Sequence, residues 1–228
     1  MMLRERFESE LRTLQSDILE LGSVVEENLT RTVDALVRRD LKVSQELIAT
    51  DGWVNERRIA IGSAALRLIA TQQPAAGDMR LIASSIEIAG ELERIHDYVK
   101  GIGRINQMIG EKVVPPLLLR RLPDMARQAR QMLHQALAAY AGRDAAMAAQ
   151  VPAYDDMVDD WFNETYRTII DHVVKDPTTI DLANRVEWAA HNMERAADRV
   201  INICEWTIYM VTGRYIEVES EYEAPPLL

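Results

Sequence analysis

Apolar residues return at steps of three and four along most of this chain, and that pattern restricts the possible folds more than any motif in it. Phe7, Leu11, Leu14, Ile18, Leu21 and Val25 form one such seam, the stripe of a helix that buries one face along a bundle. A break near Arg39-Asp40 separates it from a second helix reaching about Thr71. Gln72-Gln73-Pro74-Ala75-Ala76-Gly77-Asp78 then ends that helix, because Pro and Gly interrupt helices, and Asp78 is placed to cap the next one. A third helix carries Leu81, Ile88, Leu92, Ile95, Val99 and Ile102 and stops near Gly110, before the rigid connection Val114-Pro115-Pro116. The pattern restarts with Met125, Ala129, Met132, Ala136 and Tyr140. A fifth helix is expected from about Asp144 to Val174. After the break Lys175-Asp176-Pro177-Thr178, a sixth runs to about Thr212. With two Phe residues and an abundance of Ala, Leu, Met, Arg and Glu, the composition favours helix throughout.

The six helices fall into two matching sets. Asp40 and Asp144, each at a helix start, lie 104 positions apart, and Asp51 and Asp155 keep the same spacing. Pro74 and Pro177, each between helices, lie 103 apart, and Glu93-xxx-Asp97 recurs as Glu194-xxx-Asp198 after 101. So small a drift indicates a duplicated unit with short loop deletions. The fold expected is all-α: two tandem antiparallel three-helix bundles, residues 1–112 and 113–213, with a C-terminal tail over 214–228 read as a loose arm.

Several function classes are disfavoured. The formal net charge is −10, whereas proteins that grip nucleic acid usually present a basic face; no nucleic-acid partner is expected. Cys204 is the only cysteine, so no disulfide can form within the chain, and its place in the apolar register makes it a packing residue. The first residues lack the apolar run of a signal peptide, and no stretch reaches the ~20 apolar residues of a membrane span. The protein is expected in the cytoplasm, without direct membrane insertion. The ten glycines are scattered rather than gathered into a phosphate loop, and no nucleophilic motif stands out, so an enzyme is not expected.

The acidic pairs carry the chemistry. At i and i+4, Glu93 with Asp97 and Glu194 with Asp198 each project from one helix face about a turn apart. Each pair begins one position beyond an apolar seam residue (Leu92, Met193), at the edge of the buried stripe. Carboxylates crowded there repel one another unless a cation lies between them or an Arg pairs them. Facing helices offer more oxygen: Asp51 with Asn55 and Glu56 in the first half, Asp155, Asp156, Asp159 and Asp160 in the second. Such oxygen sets suit iron, manganese, magnesium or calcium. The competing view is plain, since ExxxD on a helix is common and usually solvated or salt-bridged; the repetition at matching positions argues against chance. His96 makes Glu93-xx-His96, half of a di-iron signature with no second copy, and His191 precedes Glu194 in the reverse order. Both read as hydrogen-bonded or surface histidines.

These residues resemble the PhoU phosphate-uptake regulator family over about residues 7–213. Gln73-Pro74-x-x-x-Asp78-Met79-Arg80-Leu81 and Glu91-Leu92-Glu93-Arg94-Ile95-x-Asp97-Tyr98 look like its signature. Asp176-Pro177, Met193-Glu194-Arg195-x-x-Asp198 and Glu205-Trp206-x-x-Tyr209-x-x-x-Gly213 match in the second half. The resemblance implies two three-helix bundles, each able to hold a metal ion or a multinuclear iron or zinc cluster. Its implied ligands are Glu93, Asp97, Glu194 and Asp198, with Asp51, Asp155 and Asp159 from facing helices. It also implies a negative regulator of phosphate uptake and the starvation response, acting on the phosphate transporter ATPase subunit and a phosphate-sensing histidine kinase. A homodimer is expected, although exposed Met and Leu on a bundle face fit either core or interface. Asn55, where Asp159 stands in the second half, gives the first site a neutral ligand and weaker metal binding. Two other readings remain open from the residues: a ferritin-like di-iron bundle, which needs a second Glu-xx-His, and a metal-free helical adaptor.

Overall fold

The computed structural model describes residues 2–217. Within them the chain is all-α, with no strand among the described residues. Helices α1 (Met2–Arg38), α2 (Leu41–Gln72) and α3 (Ala76–Ile109) form the first antiparallel bundle. A short α4 (Pro116–Leu119), beginning at the expected Pro-Pro connection, leads into α5 (Leu122–Gly142), α6 (Ala145–Ala148), α7 (Asp155–Lys175) and α8 (Ile180–Thr212). The long helices α5, α7 and α8 repeat the first bundle.

The duplication extends to the turns. Arg39 and Arg143 both take left-handed backbone, at φ 58° and 53°, and each is followed by an Asp that caps the next helix. Asp40 Oδ1 accepts from the Val43 N–H at 3.0 Å and Asp144 Oδ1 from the Met147 N–H at 2.9 Å. The Asp40 and Asp144 N–H groups reach back to the Ala35 and Ala139 carbonyls at 2.8 and 2.9 Å, satisfying carbonyls that the ends of α1 and α5 leave free.

Past that turn the copies diverge. The first half continues straight through α2, whereas the single helix expected from Asp144 is broken. Only α6 forms there, then a 3-10 turn over Val151–Tyr154, and α7 starts at Asp155. Pro152 lacks the N–H and clashes with the preceding turn, which stops a continuous helix. A second expectation also fails. Ala75, without a side-chain bond, is the residue that caps α3; Asp78 lies inside the first turn and accepts from Arg4 at 3.0 Å. The described start of the tail is not loose. The Tyr215 hydroxyl donates to Glu205 at 3.0 Å and its ring lies 5.0 Å from that of Trp206; the rest of the tail lies outside the described residues.

One continuous apolar core runs through both bundles, from Phe7, Ile18 and Val25 in α1 to Val200, Ile203 and Met210 in α8. Burying each such side chain contributes about 1.5–3 kcal/mol. The broadest contact joins α3 to α8, which run antiparallel. Arg80 Nε donates to the Met210 carbonyl at 3.3 Å, Ser84 Oγ to that of Trp206 at 2.9 Å, and Asn202 Nδ2 to Glu91 at 3.2 Å. A Cβ at Gly101 would come within 3.0 Å of Asn192 Nδ2. Gly101 and Asn192 are the repeat partners of Asn202 and Glu91, so the two contacts exchange under the internal symmetry. Each acidic pair therefore sits on a central helix, with a peripheral helix facing it.

Candidate metal centre

In the second half, α7 brings up Asp155 and Asp159 one turn apart, and α8 meets them with Asp198. One carboxylate oxygen from each of these three residues falls within 4.8 Å of the others. Oxygens on opposite sides of a cation bonded at about 2.0–2.4 Å lie about 4–4.8 Å apart, so the trio fits one hard cation. Pro152 matters here, because the restart of the helix puts Asp155 in the first turn of α7. Asp155 is only 2% exposed and its Oδ1 has no hydrogen-bond partner. A buried charged oxygen left this way costs several kcal/mol unless it is protonated or finds a cation.

The acidities follow. Burial first, then Asp159, Asp198 and Glu194, push the Asp155 carboxyl up to about 8. Burial and Asp198 raise Asp159 to about 6. Glu194 is raised to about 7 by burial, with Asp198 and Asp159 adding to it. Asp198 is raised by burial too, although Arg195, 2.8 Å away, and Arg199 oppose the shift. Glu194 belongs to the electrostatic neighbourhood rather than to the trio. Its Oε2 lacks a hydrogen bond and lies 3.4 Å from Nδ1 of the half-exposed His191.

The first half brings the matching residues together to a different end. Lys100 reaches from α3 and donates to Asp51 Oδ2 on α2 at 2.8 Å and to Asp97 Oδ1 at 2.6 Å. Burial lowers the affinity of that ammonium for its proton, but the bonds to Asp51 and Asp97 outweigh it and hold the lysine charged. Asn55 donates to Asp51 Oδ2 at 3.3 Å, as the neutral residue expected there. Glu93 is raised by burial and by Asp97, with Arg58 and Lys100 opposing. His96 is fully buried rather than at the surface, and burial lowers its basicity. Asn28 Nδ2 lies 3.3 Å from His96 Nε2. Among the described residues, no trio of ligand atoms comparable to the second half's forms here.

Lys100 is the site residue that sequence reasoning missed. Its signal was a base three positions after Asp97 where the second half has Ile201, together with Arg58 where it has Phe162. Cys204 is fully buried, as expected of a packing residue, and burial pushes its thiol up to about 12.

A sequence profile of the PhoU domain matches this chain twice, over residues 18–105 and 122–207. The chain belongs to the PhoU family. The two matches correspond to the two bundles and make the duplication explicit. The phosphate-specific transport system accessory protein PhoU homolog of Pseudomonas aeruginosa is 31% identical over 211 residues, spanning 92% of this chain and 87% of that protein. The accessory protein PhoU of Serratia marcescens is 33% identical over 209 residues, 92% of this chain and 86% of its own. The crystal structure of PhoU from P. aeruginosa superposes with a TM-score of 0.86 at 31% identity, covering 91% of this chain and all of that one. The phosphate transport system regulatory protein PhoU from Streptococcus pneumoniae gives 0.83 at 27% identity, over 92% and 99%. These PhoU relatives are named accessory or regulatory proteins rather than enzymes. No helix among the described residues is long and apolar enough to cross a membrane.

Proposed function

We propose that this chain is a regulatory accessory of a phosphate transport system, restraining uptake and the starvation response when phosphate is plentiful, with a metal centre in its second half as part of the device. The observation that carries the metal reading is the buried, unpaired Asp155 Oδ1 beside Asp159 and Asp198, on a scaffold whose relatives are named for phosphate transport. The acidic oxygens of Asp155, Asp159 and Asp198, with Glu194 adjacent, would hold iron or zinc, as one ion or a small cluster. When bound, the metal supplies positive charge that offsets carboxylate repulsion and ties α7 to α8. The residues themselves position oxygens, exclude water around Asp155 and release protons as the cation enters. For Glu93, Asp97 and Asp51 the fit is poor, since Lys100 already bonds two of the three.

The partners in this reading are the transporter's ATPase subunit and the phosphate-sensing histidine kinase. Acidic surface steers encounter with basic partner faces. A homodimer is part of the same reading, supported by exposed Tyr166, Ile170 and Val174 along one stripe of α7. The experiment is deletion of the gene in phosphate-replete cells with alkaline phosphatase as the readout. Derepression rescued by wild type but not by Asp155→Asn/Asp159→Asn is the expected result. No derepression would refute the repressor role, and full rescue by the double variant would remove the metal centre from it.

A further inference from the structure

The same duplicated acidic site is furnished differently in the two halves: three exchanges beside the carboxylates make the first half more positive, while one, Tyr98 in place of Arg199, runs the other way. From the second half to the first, Asp159 becomes Asn55, Phe162 becomes Arg58 and Ile201 becomes Lys100. One acid is lost and two cations are gained. The lysine does not point to solvent: its side chain is 17% exposed, and Nζ bonds Asp51 and Asp97 together. An ammonium at 2.8 and 2.6 Å from two carboxylates supplies one unit of the positive charge that a divalent ion would bring, and occupies the space between the oxygens where the ion would sit.

The one histidine of the first half, His96, is buried between Asn28 and Asp51. His96 Nε2 lies 3.3 Å from Asn28 Nδ2, and Nδ1 faces Asp51 Oδ1 at 3.7 Å, neither of the latter two atoms having a hydrogen-bond partner.

We propose that Lys100 is a built-in replacement for metal in the first half, so that the chain loads metal in its second half alone. This rests on the reading of the Asp155–Asp159–Asp198 trio as a metal centre. The first bundle then keeps its α2–α3 contact closed whatever the metal supply, and only the second bundle responds to it.

The test uses the full chain, stripped with EDTA and reloaded with Mn²⁺, Zn²⁺ or, anaerobically, Fe²⁺. Retained metal is read by plasma mass spectrometry after desalting, beside melting curves of each form. Wild type should retain metal, Asp155→Asn/Asp159→Asn should lose all of it, and Asp51→Asn should lose none. Lys100→Ile, which copies the second half, should gain metal that survives Asp155→Asn/Asp159→Asn and disappears when Asp51→Asn is added. Lys100→Gln accompanies it as a milder change, and the comparison of the two aspartate variants needs neither. Wild-type metal that Asp51→Asn removes, or that the second-half double variant retains, overturns the proposal; so does the absence of any gain in folded Lys100 variants. If wild type binds nothing while Lys100→Ile does, the second-half centre fails and the lysine's role stands. If neither binds, both fail.

Discussion

The two bundles began as one unit and still share their turns, yet the acidic site in one is closed by a side chain and in the other left open. In the first, Asp51 and Asp97 are bridged by Lys100. In the second, Asp155, Asp159 and Asp198 converge within 4.8 Å with no lysine between them, since the position equivalent to Lys100 is Ile201. An unpaired aspartate oxygen is common to both halves, Oδ1 of Asp51 and Oδ1 of Asp155. The difference teaches that an acidic helix pair specifies a need for positive charge rather than a metal. The need can be met from within the chain at the cost of ordering one long side chain, or from solution at the cost of depending on supply.

The largest effect expected from breaking this contrast is on binding. Asp155→Asn/Asp159→Asn should weaken metal affinity by at least ~100-fold, read by competition with a chelating dye, because two oxygen anions leave the site together. Asp51→Asn should change it little.

Next comes pH. Asp155, Asp159 and Glu194 have folded-state values of about 8, 6 and 7, above the ~4 of an unfolded chain. Groups raised in this way give stability that is fully present below the unfolded value and lost as pH rises through the folded one. The stripped protein should therefore melt roughly 5–10 °C higher at pH 5 than at pH 8, an order-of-magnitude expectation for a chain of this size. Metal should flatten that slope by holding the carboxylates ionised, with proton release measurable in weak buffer. Asp155→Asn should flatten it without metal.

Smaller still is the loss of the internal cation. Lys100→Gln leaves Asp51 and Asp97 without a charge partner and should cost about 1–3 kcal/mol in urea unfolding. Ile201→Lys, the reverse exchange, should raise the stability of the stripped protein and abolish its response to metal. The smallest effect concerns what the halves still share. Arg39→Gly and Arg143→Gly relieve left-handed strain at φ 58° and 53° and should each stabilise by about 0.5–1 kcal/mol, to a similar degree in both turns.

Much of this contrast could be read before any coordinates. The three- and four-residue seams gave six long helices, and the 104-residue spacing of Asp40 and Asp144 marked the same turn twice, because cap chemistry is local. Asp51, Asp155 and Asp159 faced their acidic pairs as the repeat required. The sequence did not reveal that Pro152 would break the fifth helix after one short turn, since a proline near a helix start is often tolerated. It did not place His96 in the core, because its surroundings come from Asn28 on α1 and Asp51 on α2. Lys100 was hidden for a related reason. Spacing puts it on the face of Asp97, but only the approach of α2 lets the same ammonium reach Asp51, and that approach is tertiary.

Anomalous diffraction from crystals of the full chain grown with Zn²⁺ or Mn²⁺ would locate the cation directly. A peak at coordination distance from Asp155, Asp159 and Asp198, with none near Lys100, is the predicted result. A peak between Asp51 and Asp97 with Lys100 displaced would show metal in the first half and overturn the assignment, and crystals that bind the ion at neither half would remove the second-half centre.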